Sequence, residues 1–112
     1  MKKPISIADF TKLDLAIGTV ISARLNQKAR KPAYILEVDF GERGIKTTSA
    51  QLTENYQPED LINRQVIAVM NFPPLKVAGV KSEVLVLAGV SDTEGTVLLS
   101  LERPMPNGTP VS

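Results

Sequence analysis

A five-stranded Greek-key barrel with a short helix between its third and fourth strands is the architecture this sequence predicts. Three observations carry that expectation. Apolar and polar residues alternate over two successive stretches, 13–25 and 34–40, with the period of two that belongs to half-buried strands. The helix-like signal, Pro58-Glu59-Asp60-Leu61-Ile62, comes only after three strand-like stretches. The chain has 112 residues, so residues 1–112 read as one domain, and further apolar stretches follow the helix in the right number.

Taken in order, Leu13, Leu15, Ile17, Ile21, Ala23 and Leu25 share one parity, and Asp14, Ser22 and Arg24 the other. This predicts a long strand with its odd positions inward and Gly18 allowing a bend or bulge. A polar loop, residues 26–32, closes on Pro32. Tyr34, Leu36, Val38 and Phe40 then alternate with Ile35, Glu37 and Asp39, with Phe40 expected in the core. Gly41-Glu42-Arg43-Gly44 is a turn, and Ile45 to Ala50 a short third strand completing a meander. Proline at the start of a helical turn, followed by two carboxylates, suits the N-terminus of a helix. Val66–Met70 is continuously apolar, as in a strand covered on both faces. Phe72-Pro73-Pro74 forces an extended loop through Lys76, Gly79 and Lys81-Ser82-Glu83; Val84–Val90 and Val97–Leu101 are the remaining strands, and an extended, turn-rich tail follows. Three strands, a helix and two or more strands, with extra terminal elements, is the plan of the OB-fold.

Composition narrows function by exclusion. The chain has no His, Cys or Trp. It therefore has no imidazole base, no thiolate nucleophile, no zinc site of the usual kind and no disulfide. Glu37 and Asp39 lie two apart on one strand face, and Ser82 lies between Lys81 and Glu83. The first reads as a solvated strand face, and the second places its neighbours on the opposite face from the serine. The expectation is a protein that is not an enzyme and needs neither metal nor cofactor. Met1-Lys2-Lys3 starts like a signal peptide, but Asp9, Lys12 and Asp14 interrupt the stretch that follows. A cytoplasmic location without membrane insertion is expected.

Thirteen basic against twelve acidic residues leave a net charge of +1. That near-neutrality hides an asymmetry. Residues 1–46 hold nine basic and five acidic side chains, a net +4, and the remainder four basic and seven acidic, a net −3. Lys28, Arg30 and Lys31 crowd the loop between the first two strands, and Lys76 and Lys81 lie in the loop between the fourth and fifth. In OB-folds these two loops flank the oligonucleotide-binding face, where cations can follow a phosphate backbone. With two tyrosines and three phenylalanines the chain cannot supply a row of stacking platforms. RNA recognised through backbone and shape, with one or two splayed bases, fits better, and Tyr34 and Phe72 are the candidate stackers. The late strands are apolar in both parities, which predicts an exposed patch. A two-fold homodimer would cover it; a groove for hydrophobic clients and cover by the chain's own termini are the alternatives.

Several ordered motifs resemble the tRNA-binding domain family: Asp9-Phe10 with Lys12-Leu13-Asp14, Ile17-Gly18-Thr19-Val20, Val38-Asp39-Phe40-Gly41, Asn71-Phe72-Pro73-Pro74 and Ser82-Glu83-Val84-Leu85-Val86-Leu87. Lys31-Pro32-Ala33-Tyr34, Gly44-Ile45-Lys46, Ser49-Ala50-Gln51 and Pro106-Asn107-Gly108 are similar to its free-standing bacterial branch, the CsaA type. The resemblance covers nearly the whole chain. It implies a homodimeric OB-fold protein that binds tRNA without catalysis, and a chaperone role toward unfolded precursor proteins and the export machinery. It also implies RNA-contacting roles for Lys31, Asn71, Ser82 and Leu85, the last standing where synthetase-fused domains carry methionine. Ala16 and Leu75 stand where the family commonly has basic residues, which implies weaker electrostatic attraction for tRNA.

Overall fold

The computed structural model describes all 112 residues. Helix α1 (Ile7–Phe10) precedes β1 (Leu15–Leu25), β2 (Tyr34–Asp39), a 3-10 turn (Gly41–Arg43) and β3 (Ile45–Ala50). Helix α2 (Pro58–Leu61) leads into β4 (Gln65–Val69), β5 (Leu75–Val77), β6 (Val80–Ser82), β7 (Leu85–Val86), β8 (Ala88–Ser91), β9 (Gly95–Leu98) and β10 (Pro110–Val111). The main sheet runs β3-β2-β1-β4-β7, and β10 pairs with the start of β1. β3 meets the segment around β6 and β7 to nearly close the barrel, so the OB-like architecture stands.

Side chains do part of the closing. The Glu83 N–H donates to the Thr47 carbonyl at 2.8 Å, and the Thr47 N–H to Glu83 Oε1 at 3.0 Å. Thr48 Oγ1 donates to the Val84 carbonyl at 2.7 Å, which satisfies a buried hydroxyl and a carbonyl together.

The core lies between β1, β2, β4 and α2, around the fully buried Phe40, Leu36, Leu61, Val20, Val38 and Val66. β2 behaves as its alternation predicts, with Tyr34, Leu36, Val38 and then Phe40 inward. β1 does not. Its register against β2 shifts between Val20 and Ser22, leaving Ile21 exposed as an extra residue in a bulge. The inward side before the bulge is Ala16 and Val20, and after it Ala23, so the odd-parity expectation fails for the first half of the strand. A bulge adds one residue to one strand and reverses the faces beyond it. Leu15 and Ile17 are buried outside the main cluster, where β1 pairs with both β4 and β10.

Two further expectations change. The stretch after Pro73-Pro74 is a tight hairpin, with Val77 paired to Val80, instead of an extended loop. Its two turn residues, Ala78 and Gly79, have φ of 47° and 83°. Both positive is the requirement of a type I′ turn, which asparagine followed by glycine meets best. Ala78→Asn is therefore expected to raise stability by roughly 0.5–1 kcal/mol, read as a shift in the urea midpoint at unchanged slope. The predicted strand Val84–Val90 is broken: β7 pairs with β4, while β8 turns away to pair with β9 in a separate hairpin. Asn55 pins that hairpin, its Nδ2 donating to the carbonyls of Glu94 and Thr96 at 2.8 and 3.0 Å.

Candidate nucleic-acid interface

The long β1 and β2 carry their connecting loop away from the barrel and set it against the tip of the β5–β6 hairpin. Lys28, Arg30 and Lys31 line one side of a groove with Val77 and Ala78 on the other and Ser49 and Gln51 between them. Lys28 runs across the turn, so that a Cβ at Gly79 would lie 3.5 Å from its Cδ and 3.8 Å from its Nζ. On the hairpin, Lys76 and Lys81 are directly opposite one another. Like charges facing across a strand pair repel, a cost with no return unless an anion lies over them. None of the five cations forms an ion pair; those in the structure are Lys12–Asp9, Arg24–Glu37 and Arg43–Asp14. Tertiary structure thus brings two segments of sequence some fifty residues apart, both carrying cations without ion-pair partners, against each other.

The remaining candidates divide. Tyr34 is 5% exposed, and its hydroxyl donates to the Tyr56 carbonyl at 2.7 Å. It is a core residue and no stacking platform, for the same parity that buries Leu36, Val38 and Phe40. Phe72 is 47% exposed and borders, with Pro73, Leu75, Ser82 and Leu85, a cavity of about 320 Å3. Ser82 Oγ accepts from the Ser49 N–H at 3.1 Å and lies 3.2 Å from Thr48 Oγ1, so it also helps close the barrel. Asn71 is similarly engaged: its Oδ1 accepts from the Asp14 N–H and its Nδ2 donates to the Lys12 carbonyl, both at 2.8 Å. One amide hydrogen of Asn71 is left for a ligand; with the Thr48 hydrogen given to Val84, the Ser82 hydroxyl donates to Thr48 Oγ1 and keeps only acceptor capacity. Ala16 is wholly buried in the core, so in this chain that position belongs to packing, whereas Leu75 is 67% exposed on the hairpin.

Glu37 and Asp39 have structural partners. Glu37 Oε1 accepts from Ser22 Oγ at 2.8 Å, and Asp39 Oδ1 from the Gly41 N–H at 2.8 Å. The perturbed charges lie elsewhere. The Arg43 guanidinium grips the Asp14 carboxylate through both nitrogens. Hydrogen bonding to Arg43 holds Asp14 below the usual carboxylate range, with desolvation opposing it and the charge of Arg43 adding to it; Arg43 is raised in turn. A depressed carboxylate contributes stability above its unfolded pKa and loses it as pH falls through the folded value. Thermal stability should therefore hold from neutrality to about pH 4 and decline below it, with Asp14→Asn flattening part of the decline. Both side chains are at least a third exposed, so the effect is below about 1 kcal/mol.

Three features of the surface escaped the sequence reading. Asn26 sits in a stretch that reads as featureless polar loop, yet it is buried. Ser49 and Gln51 floor the basic groove, which only barrel closure reveals. Residues 1–13 are exposed throughout, including Ile5, Ile7, Phe10 and Leu13; the apolar spacing around α1 was the available signal.

Residues 15–110 match the family model described as "Putative tRNA binding domain". The chain is 41% identical over 108 residues to a methionine–tRNA ligase of Methanococcoides burtonii, covering 96% of this chain and 16% of that protein. It thus spans about a sixth of the length of such ligases. Among solved structures it is similar to chaperone CsaA of Bacillus anthracis, with 54% identity and a TM-score of 0.93 over 98% of this chain and all of that one. It is also similar to the CsaA chaperone protein of Picrophilus torridus, with 40% identity and a TM-score of 0.91 over 97% of this chain and all of that one. The chain belongs to the tRNA-binding domain family, as a CsaA-like member.

Proposed function

We propose that this is a non-catalytic protein that holds structured tRNA against the basic groove between the β1–β2 loop and the β5–β6 hairpin. One observation carries the reading: Lys28, Arg30 and Lys31, none with a carboxylate partner, line that groove, and the hairpin that borders it carries two more unpaired cations, Lys76 and Lys81, facing each other. Lys28, Arg30, Lys31, Lys76 and Lys81 neutralise phosphates; the free amide hydrogen of Asn71 and the Ser82 hydroxyl oxygen, as an acceptor, set register against sugars or base edges. Phe72, beside Leu85, stacks one unpaired base. Binding of wild-type protein to bulk tRNA, followed over 50–200 mM salt, tests this. Affinity should fall steeply with salt, and no binding at 50 mM, or binding with no salt slope, would sink it.

A second reading rests on the apolar surface. Ala50, Leu52, Leu85, Val86 and Leu98 line a groove of about 490 Å3, and Val90 at its edge is 83% exposed. Together with the arm that carries Ile5 and Ile7, this favours a homodimer, cytoplasmic, whose apolar surface also receives unfolded precursor proteins on their way to the export machinery. Sedimentation at micromolar concentration should show about twice the 12.1 kDa of one chain. Suppression of aggregation by an unfolded client, insensitive to added tRNA, would favour a dedicated chaperone over an RNA-binding protein.

A further inference from the structure

The two basic segments are hydrogen-bonded to one another through the side chain of Asn26. It is 6% exposed and, with Thr48, makes up the buried polar residues of the chain. Its main chain closes the base of the β1–β2 loop: its N–H donates to the Ala33 carbonyl at 2.9 Å, and its carbonyl accepts from the Ala29 N–H at 3.3 Å. Its side chain faces two ways. Oδ1 accepts from the Lys28 N–H at 3.1 Å, an Asx turn that shapes the start of the basic run. Nδ2 donates to the carbonyl of Ala78, at the hairpin tip, at 3.4 Å. That carbonyl belongs to a residue with φ of 47°, so the turn geometry and the aim of the carbonyl are linked.

We infer that Asn26 is a positioning residue for RNA binding, coupling the Lys28–Lys31 loop to the Lys76–Lys81 hairpin so that both meet the phosphate backbone as one preformed surface. The chemistry suits asparagine alone among small residues. Only a side chain with an acceptor and a donor on the same carbon can cap Lys28 and reach Ala78 together. Aspartate would put an acceptor against the Ala78 carbonyl, and serine reaches only the nearer partner. Without the link each segment must be ordered when the RNA arrives, and that ordering subtracts from affinity.

The inference rests on the RNA-binding reading, and the test separates the two. Asn26→Ala and Asn26→Ser are compared with wild type for tRNA binding over a salt series, thermal stability and amide hydrogen exchange. Asn26→Ser keeps a weaker local turn at Lys28 and loses the reach to Ala78, so it isolates the coupling even if the alanine variant folds poorly. The serine variant is expected to bind roughly 5- to 10-fold more weakly at fixed salt, with faster exchange at the amides of 78–80 as well as 27–31. Its salt slope should change by less than that of Lys28→Ala, which removes a phosphate contact outright. If the folded serine variant binds like wild type, or the hairpin tip keeps its protection while only the loop loosens, Asn26 merely shapes its own turn and the coupling is wrong. Failure of wild-type protein to bind would instead reject the RNA-binding reading itself.

Discussion

Replacing Lys28 and Lys31 together by alanine is expected to weaken tRNA binding roughly 10- to 30-fold at low salt and to lower the salt slope by about two. The reasoning is counterion release: each lysine that sits on a phosphate frees about one condensed cation, and its loss is felt most where free salt is scarce. Both lysines lie in an exposed loop without ion-pair partners, so melting temperature should not move. Lys76→Ala sharpens the case because its two effects have opposite signs. It removes a phosphate contact, which weakens binding several-fold, and relieves repulsion with Lys81, which leaves stability unchanged or raises it by a few tenths of a kcal/mol. A lysine kept only for solubility would show the second effect without the first. Filter binding or anisotropy against salt, beside a melting curve, reads both; a double variant with the wild-type slope would remove the loop from the interface.

The largest effect on stability is expected where β1 crosses the end of β2. Gly18 leaves no room for a methyl group: a Cβ there would lie 2.7 Å from Phe40 Cδ1 and Cε1 and 2.7 Å from Val38 Cγ1. Phe40 and Val38 are both fully buried and have nowhere to move. Gly18→Ala should cost roughly 1–3 kcal/mol by overpacking, and Phe40→Ala roughly 3–5 kcal/mol by leaving a cavity. A domain of this size has about 5–15 kcal/mol in total. The two costs should not add. With the ring gone, the Gly18 methyl partly fills the space, and the double variant should recover on the order of 1 kcal/mol relative to the sum. Strict additivity in urea denaturation would mean that the two residues do not share that volume.

Legibility differed along the chain for physical reasons. β2 could be read correctly because the extra residue of the bulge lies in β1: every residue of β2 itself is paired in succession, so its period of two maps directly onto inside and outside. The same parity that buries Leu36 and Val38 buries Tyr34, which leaves its ring no exposed face for a base. β1 misled because its bulge at Ile21 is a property of the pair: Ser22 falls opposite Glu37 only after β2 has docked. The hairpin at 75–82 was hidden by Ala78, an unusual residue for positive φ, which masked a turn that Asn-Gly would have announced. Asn71 and Ser82 were readable as motif residues, but their hydrogen bonds within the fold were not, since their partners lie 57, 59 and 33 residues away.

The barrel class, the place of the helix and the core residues of β2 follow from composition and local alternation, because burial of one strand face is written into successive side chains. Charge sign was also determined locally: the basic excess belongs to residues 1–46 and to the two hairpin lysines. What only the tertiary structure decided is which charges act together. Lys28 and Lys81 are 53 positions apart, and no periodicity links them. Their segments meet because closure of β3 against the β6–β7 segment fixes where the hairpin leaves the barrel, and Asn26 bonds the loop to its tip. Electrostatic potential depends on distance in space, and distances between segments are set by packing.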